Sequence, residues 1–344
     1  MAWEKLGTAS VGGAGVANNS WKELGRTTLG SAGDTIDVSS FAAKDNLMVL
    51  THTIKNGDIE PLLQFNSDTG SNYTRRYSVN GGSDGTNVNQ AGIETTADGV
   101  SPTAFKTLQI SNIATQEKLI YLEDCEENVA GAGNAPARIE VVGKWANTSN
   151  QITTISLDHN ATGNFAAGSE VVVLGYDNDE ADSGTNFWQE LADVTYGGGD
   201  TLDSGTITAK KYLWVRIHGI ANGNFDNCKI RFNSDSGSNY AYRHNSNGGS
   251  DSTNTSDSGF NYVGTNGAQD HFVNMFIINK SDKEKLATIE QLRANSSGAG
   301  NEPARKEVVG KWANTSSQIT SVQAVNGGSG DFASGSRIQV FGAD

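Results

Sequence analysis

FNSDTGSNY at residues 65–73 returns as FNSDSGSNY at residues 232–240, an offset of 167. The same offset carries GKWANTS at 143–149 onto an identical run at 310–316. Working outward, Trp21 meets Trp188, Glu117-Lys118-Leu119 meets Glu284-Lys285-Leu286, and Phe165-Ala166 meets Phe332-Ala333. Between Asp34 and Gly57 the offset falls to 166, as with His52 onto His218, so one deletion and one later insertion are the only gaps needed. A solenoid rung or propeller blade repeats every 20 to 50 residues or so, far less than this, so each copy reads as a whole domain.

Period-two alternation recurs in both copies. Leu47, Val49 and Thr51 stand against Leu213, Val215 and Ile217, and Val171 and Val173 against Ile338 and Val340. Such alternation marks strands with one buried face. The residues between them, Glu170 and Val172, become Arg337 and Gln339 in the second copy, so that opposite face is expected to meet water. About ten such strands per copy, joined by Asn-Gly and Gly-rich turns, exceed the roughly seven of a minimal immunoglobulin domain. The fold class expected is all-β, with two tandem homologous jelly-roll-like β-sandwich domains. The expected boundaries are an N-terminal arm at 1–19, a first sandwich at 20–177, a polar linker at 178–186 and a second sandwich at 187–344. The arm partly repeats the first strand, because Trp3, Leu6 and Gly7 match Trp21, Leu24 and Gly25 at an offset of 18.

Composition narrows the function classes. A net charge of −14 sets the chain against nucleic acid, whose phosphates are bound by clustered Lys and Arg. No run reaches the roughly 18 apolar residues of a membrane helix, and residues 1–20 lack the basic start and apolar core of a signal peptide. Cys125 and Cys228 are not repeat-equivalent, and Cys125 aligns with Leu292, so both read as structural thiols rather than a disulfide framework.

The repeated nonapeptide is followed at equal spacing by Arg76 or Arg243 and then by NGGSD at 80–84 or 247–251. As chemistry, Asp68 and Asp84 with nearby Asn and backbone oxygens would suit Ca²⁺, although the spacing matches no established calcium loop. As a ligand site, Asp68, Asn72, Tyr73 and Arg76, with Asp235, Asn239, Tyr240 and Arg243, would suit a sugar, the ring stacking on a pyranose face. As turn chemistry, Asp and Asn bond their own backbone, Gly70 takes a positive φ, Tyr73 covers the core edge and Arg76 neutralises Asp68. Turn chemistry alone demands these residue types. In the second repeated block, Arg138 and Glu140 alternate on one face and predict a cross-strand ion pair. The five histidines form no metal-ligand spacing and no nucleophile or phosphate-loop motif is present, so no enzyme is expected.

The patterns W-x-x-L-G-x-T-x-L-G-S-A-G-D at 21–34, A-K-x-x-L at 43–47, L-x-F-N-x-D-x-G-S-N-Y at 63–73 and F-A-x-G-S-x-V-x-V-x-G at 165–175 carry a resemblance. Together they resemble β-sandwich structural proteins of tailed bacterial and archaeal viruses, notably marine ones, over nearly the whole chain. The resemblance implies a virion component, either a capsid or decoration subunit or part of a tail appendage, assembled in a host cytoplasm. Its implied partners are further copies of itself and other virion proteins, with a host-surface glycan as the alternative if the chain is a lectin-like module. The spare leading strand, through Trp3 and Leu6, is expected to add to a sheet edge during assembly.

Overall fold

The computed structural model describes residues 21–96, 102–159, 162–177, 186–263, 269–295 and 298–344. The assembly strand at Trp3 and Leu6 lies outside them, as does all of the 178–186 linker except Asn186. The strand pairings of both copies, such as Lys22–Thr28 with Glu170–Tyr176 and Asn46–Asn56 with Thr103–Ser111, are antiparallel, and no helix occurs among the described residues. The all-β expectation holds, with two β-sandwich-like halves.

The first copy supplies β1 (Lys22–Thr28), β2 (Ile36–Val38), β3 (Asn46–Asn56), β4 (Pro61–Phe65), β5 (Tyr73–Val79), β6 (Gly85–Gln90) and β7 (Ile93–Glu94). It continues with β8 (Thr103–Ser111), β9 (Lys118–Glu126), β10 (Ala137–Trp145), β11 (Ile155–His159), β12 (Asn164–Phe165) and β13 (Glu170–Tyr176). The large sheet runs β1-β13-β3-β8-β9-β10-β5-β6, and a four-stranded sheet, β2-β11-β4-β7, faces the same core. The second copy repeats this order. Its strands are β14 (Gln189–Thr195), β15 (Thr201–Asp203), β16 (Tyr212–Gly219), β17 (Ala221–Asn222), β18 (Cys228–Phe232), β19 (Tyr240–Ser246) and β20 (Ser252–Asp257). They continue as β21 (Phe260–Val263), β22 (His271–Ile278), β23 (Lys285–Arg293), β24 (Ala304–Trp312), β25 (Val322–Val325), β26 (Asp331–Phe332) and β27 (Arg337–Ala343).

Registers reproduce the sequence offsets in space. Leu47 pairs with Gly175 in the first copy and Leu213 with Gly342 in the second, so the partners are displaced by 166 and 167 residues respectively. The glycine is required there. A Cβ on Gly175 would stand 2.6 Å from Leu24, and one on Gly342 would stand 2.6 Å from Leu191.

Chain contacts divide the molecule into two units whose boundaries are not those of the repeat. Unit 1 comprises Met1–Val79, Ser83–Asp124 and Ile139–Gln189; unit 2 comprises Asn80–Gly82, Cys125–Arg138 and Glu190–Asp344. The hairpin arm Cys125–Arg138, encoded in the first copy, is thus part of the second unit.

One sequence expectation about exposure fails. Glu170 and Val172 are buried rather than wet, because Arg26 and Thr28 of the neighbouring β1 lie over the Glu170 carboxylate and bond it. Cys125 and Cys228 are buried, free thiols. Burial, reinforced by Asp226, pushes the Cys228 thiol up to about 12.

Candidate functional site

The two most strongly repeated sequence blocks meet in one structural device. Asn66 and Ser67 both adopt positive φ, and the Asp68 N–H closes the turn on the Phe65 carbonyl at 2.9 Å. This is the turn geometry whose twist matches that of paired strands. The Asp68 carboxylate then accepts three bonds: from the Gly70 N–H at 2.9 Å, from Asn72 Nδ2 at 2.9 Å and from the Trp145 indole at 2.7 Å. The Tyr73 hydroxyl accepts from Phe65 N–H and donates to the Asp68 carbonyl. In the second copy Asp235 holds Gly237, Asn239 and Trp312 in the same way, with distances of 2.8, 2.9 and 2.7 Å.

Burial alone would raise the Asp68 and Asp235 carboxyls, but the bonds they accept outweigh it and hold both below the usual carboxylate range. Tyr73 and Tyr240 are fully buried, each stacked on its tryptophan with ring centres 6.3 Å apart. Burial raises both hydroxyls far above the ordinary tyrosine value. These rings therefore present no face to a sugar from solvent.

Two expectations for this motif need correction. Gly70 does not occupy the left-handed region; it is glycine because a Cβ would crowd Asn72 at 3.0 Å and Asp68 at 3.1 Å, and Asn66 and Ser67 carry the positive φ instead. Arg76 does not neutralise Asp68. It reaches Asp84 at 3.4 Å in an exposed pair, since the indole already fills the space beside Asp68. The Asp68 carboxylate is spent on the turn and the tryptophan and that of Asp84 pairs with Arg76, and among the described residues no three His, Cys, Asp or Glu side chains converge as metal ligands.

The conserved-looking lysine of the E-K-L repeat is also framework. Lys118 is buried and donates to the carbonyls of Gln116 and Asn147, both at 2.8 Å, and Lys285 does the same to Lys283 and Asn314. Burial lowers both ammonium groups, Lys285 to about 8. Sequence reasoning also missed a fully buried ion pair, Lys106 with Asp124, replaced by Val273 and Gln291 in the second copy.

What remains outward-facing is the large sheet of unit 1. Leu119, Tyr121, Val142 and Val88 are exposed there and, with Trp21 and Tyr176, line an open groove of about 820 Å³. At its edge Lys144 pairs with Glu117 at 2.9 Å, the lysine side chain 42% exposed. The equivalent face in unit 2 is closed. Lys311, the counterpart of Lys144, is 0% exposed and donates to the carbonyls of Glu127 and Val129 on the arm. Glu284 accepts from the arm's Gly131 N–H at 2.6 Å, and the Gly310 carbonyl accepts from the Cys125 thiol at 3.5 Å.

The arm also carries Arg138, for which the sequence predicted a cross-strand ion pair. Arg138 bonds Asp251 at 2.7 Å and Glu307 at 3.3 Å and is 4% exposed. In the second copy Arg305 pairs with Glu307, two residues along the same strand, at 2.7 Å, and there the arginine is 58% exposed.

Arg243, proposed from the sequence as a ligand contact, donates to the Pro136 carbonyl of the arm at 3.0 Å. The Ser256 N–H donates to the Ala132 carbonyl at 2.7 Å.

No family model and no curated protein matches this chain. Among solved structures, a human GIVD cytosolic phospholipase A2 aligns over 87% of this chain and 33% of its own length, at 8% identity and a TM-score of 0.15. The chain spans about a third of that structure, and a score so low carries no argument about fold or activity.

Proposed function

We propose that this protein is a non-enzymatic virion structural component, a capsid or decoration subunit or part of a tail appendage, that assembles through its β-sandwich surfaces. The observation that carries the assembly reading is the exposed apolar groove around Leu119, Tyr121 and Val142, whose counterpart in the other unit is closed by a docked arm. Contiguous apolar surface of this kind marks a place where another surface lies down. The polar motif residues support the same reading, since Asp68, Asn72 and Tyr73 spend their bonding capacity on the turn itself. The virion assignment rests on the resemblance of the strand and turn patterns to structural proteins of tailed viruses. The leading segment with Trp3 and Leu6 would add to the assembly as an edge strand.

Sedimentation and electron microscopy of the purified full chain test the reading. Concentration-dependent, ordered oligomers are expected, weakened by deletion of residues 1–18. A monomer at every concentration would refute self-assembly.

A further inference from the structure

We infer that the groove of unit 1 receives residues 298–305 of a second copy of this chain, so that molecules join head to tail. This rests on the assembly reading above and names the two surfaces that carry it.

The molecule already contains the complex once. Within unit 2 the arm Cys125–Arg138 sits on a sheet face through Gly131, Ala132, Pro136 and Arg138. The segment GAGNAPAR at 131–138 recurs as GAGNEPAR at 298–305, with one change. The face that receives it recurs too. Arg243, Asp251, Glu284 and Glu307, which the segment touches, correspond to Arg76, Asp84, Glu117 and Glu140, every one the same residue type, and Lys311, which holds the carbonyls of Glu127 and Val129 just before the segment, corresponds to Lys144. The contact at Ser256 uses only a backbone N–H, and its counterpart Asn89 has the same left-handed kink, with φ of 54° against 51°; the bond from the Cys125 thiol to the Gly310 carbonyl has no counterpart, because Leu292 stands at that place.

The second arm is shaped for the same contact. Gly298 has a φ of 93° where Gly131 has 91°, and Asn295 bonds the Glu302 carbonyl at 3.2 Å where Asn128 bonds that of Ala135 at 3.2 Å. An arm held in its docked conformation loses little freedom on binding. Charge is complementary as well: Arg305 is an exposed cation, and Asp84, the position matching Arg138's partner Asp251, is an exposed anion. The apolar floor supplied by Leu119 and Val142 is exposed in unit 1, while the equivalent Leu286 and Val309 are buried in unit 2.

Because arm and groove are different surfaces, the contact is heterologous. Such a contact closes into a ring, whose smallest form is a reciprocal pair, or continues into a filament.

Two full-length variants test this. Arg305→Glu blocks the arm and leaves the groove; Leu119→Asp with Val142→Asp blocks the groove and leaves the arm. All three positions are exposed, so unchanged thermal melting is expected, and Lys144→Glu replaces the double substitution if that one lowers the melting temperature. In sedimentation each variant alone should associate about 30-fold more weakly or worse than the wild type, the size of effect a central interface arginine carries. Mixed in equal amounts, the two should form a 1:1 dimer and nothing larger, because only one productive contact remains. Wild-type oligomers that persist unchanged in both variants would overturn this pairing and leave assembly to another surface. Blocked variants that fail to complement would overturn the head-to-tail arrangement. A wild-type protein that stays monomeric would overturn both this inference and the assembly reading beneath it.

Discussion

Asp68 shows how one residue joins two distant sequence blocks. Its carboxylate is the acceptor on which the turn after β4 and the tryptophan of β10 converge, and Asp235 repeats the arrangement. Trp145→Phe removes the indole donor and leaves part of the buried indole's volume unfilled, so the first copy should lose about 2 kcal/mol or more in urea denaturation. The pH dependence has a definite sign. A carboxyl held below its unfolded value contributes stability that is complete above the ordinary carboxylate range and is lost as pH falls through the depressed folded value. In the variant that loss should begin at a higher pH, read from the Asp68 titration by NMR. The residue types of this turn were legible in the sequence. Their partners were not, because Arg76 is the charged neighbour of Asp68 on paper and only packing brings the Trp145 indole to that carboxylate.

At the scale of elements, the hairpin arms carry the clearest contrast. Arg138 and Arg305 occupy the same place in nearly identical sequences, yet one is enclosed by two carboxylates and the other faces water. Removing the partner of a buried charge typically costs about 3–5 kcal/mol, whereas an exposed pair is worth about 1 kcal/mol or less. Arg138→Ala should therefore destabilise unit 2 by about 3 kcal/mol or more in chemical denaturation, and Arg305→Ala should be nearly neutral in the monomer. Strand alternation gave the core faces of β3 and β13 correctly, but it assigned the Glu170 side to water. Period two reports that the faces differ; it does not report that Arg26 and Thr28 from β1 close over the second one.

At the scale of the whole molecule, net charge and local complementarity act in opposite directions. Chains carrying −14 repel one another at long range, while the proposed contact of Arg305 with Asp84 of a second copy would act at short range. The Debye length falls from about 30 Å at 0.01 M salt to about 10 Å at 0.1 M, so moderate salt removes the repulsion before it weakens a close, partly desolvated pair. Association measured by sedimentation should therefore strengthen from about 0.01 M to about 0.1 M salt, the opposite of what a contact driven by charge alone would show.

The amino-acid sequence by itself determined the duplication, the all-β architecture, the positions of the tight turns and the register of one copy against the other. These follow from local spacing and from residue types that few backbones accept. Tertiary structure alone decided which carboxylate each arginine meets, and that one sheet face is closed while its twin stays open. Two identical stretches of chain have identical propensities, but the environment of a side chain is set by whatever backbone folds back against it. In this molecule an arm lies on one of the two equivalent faces and leaves the other exposed.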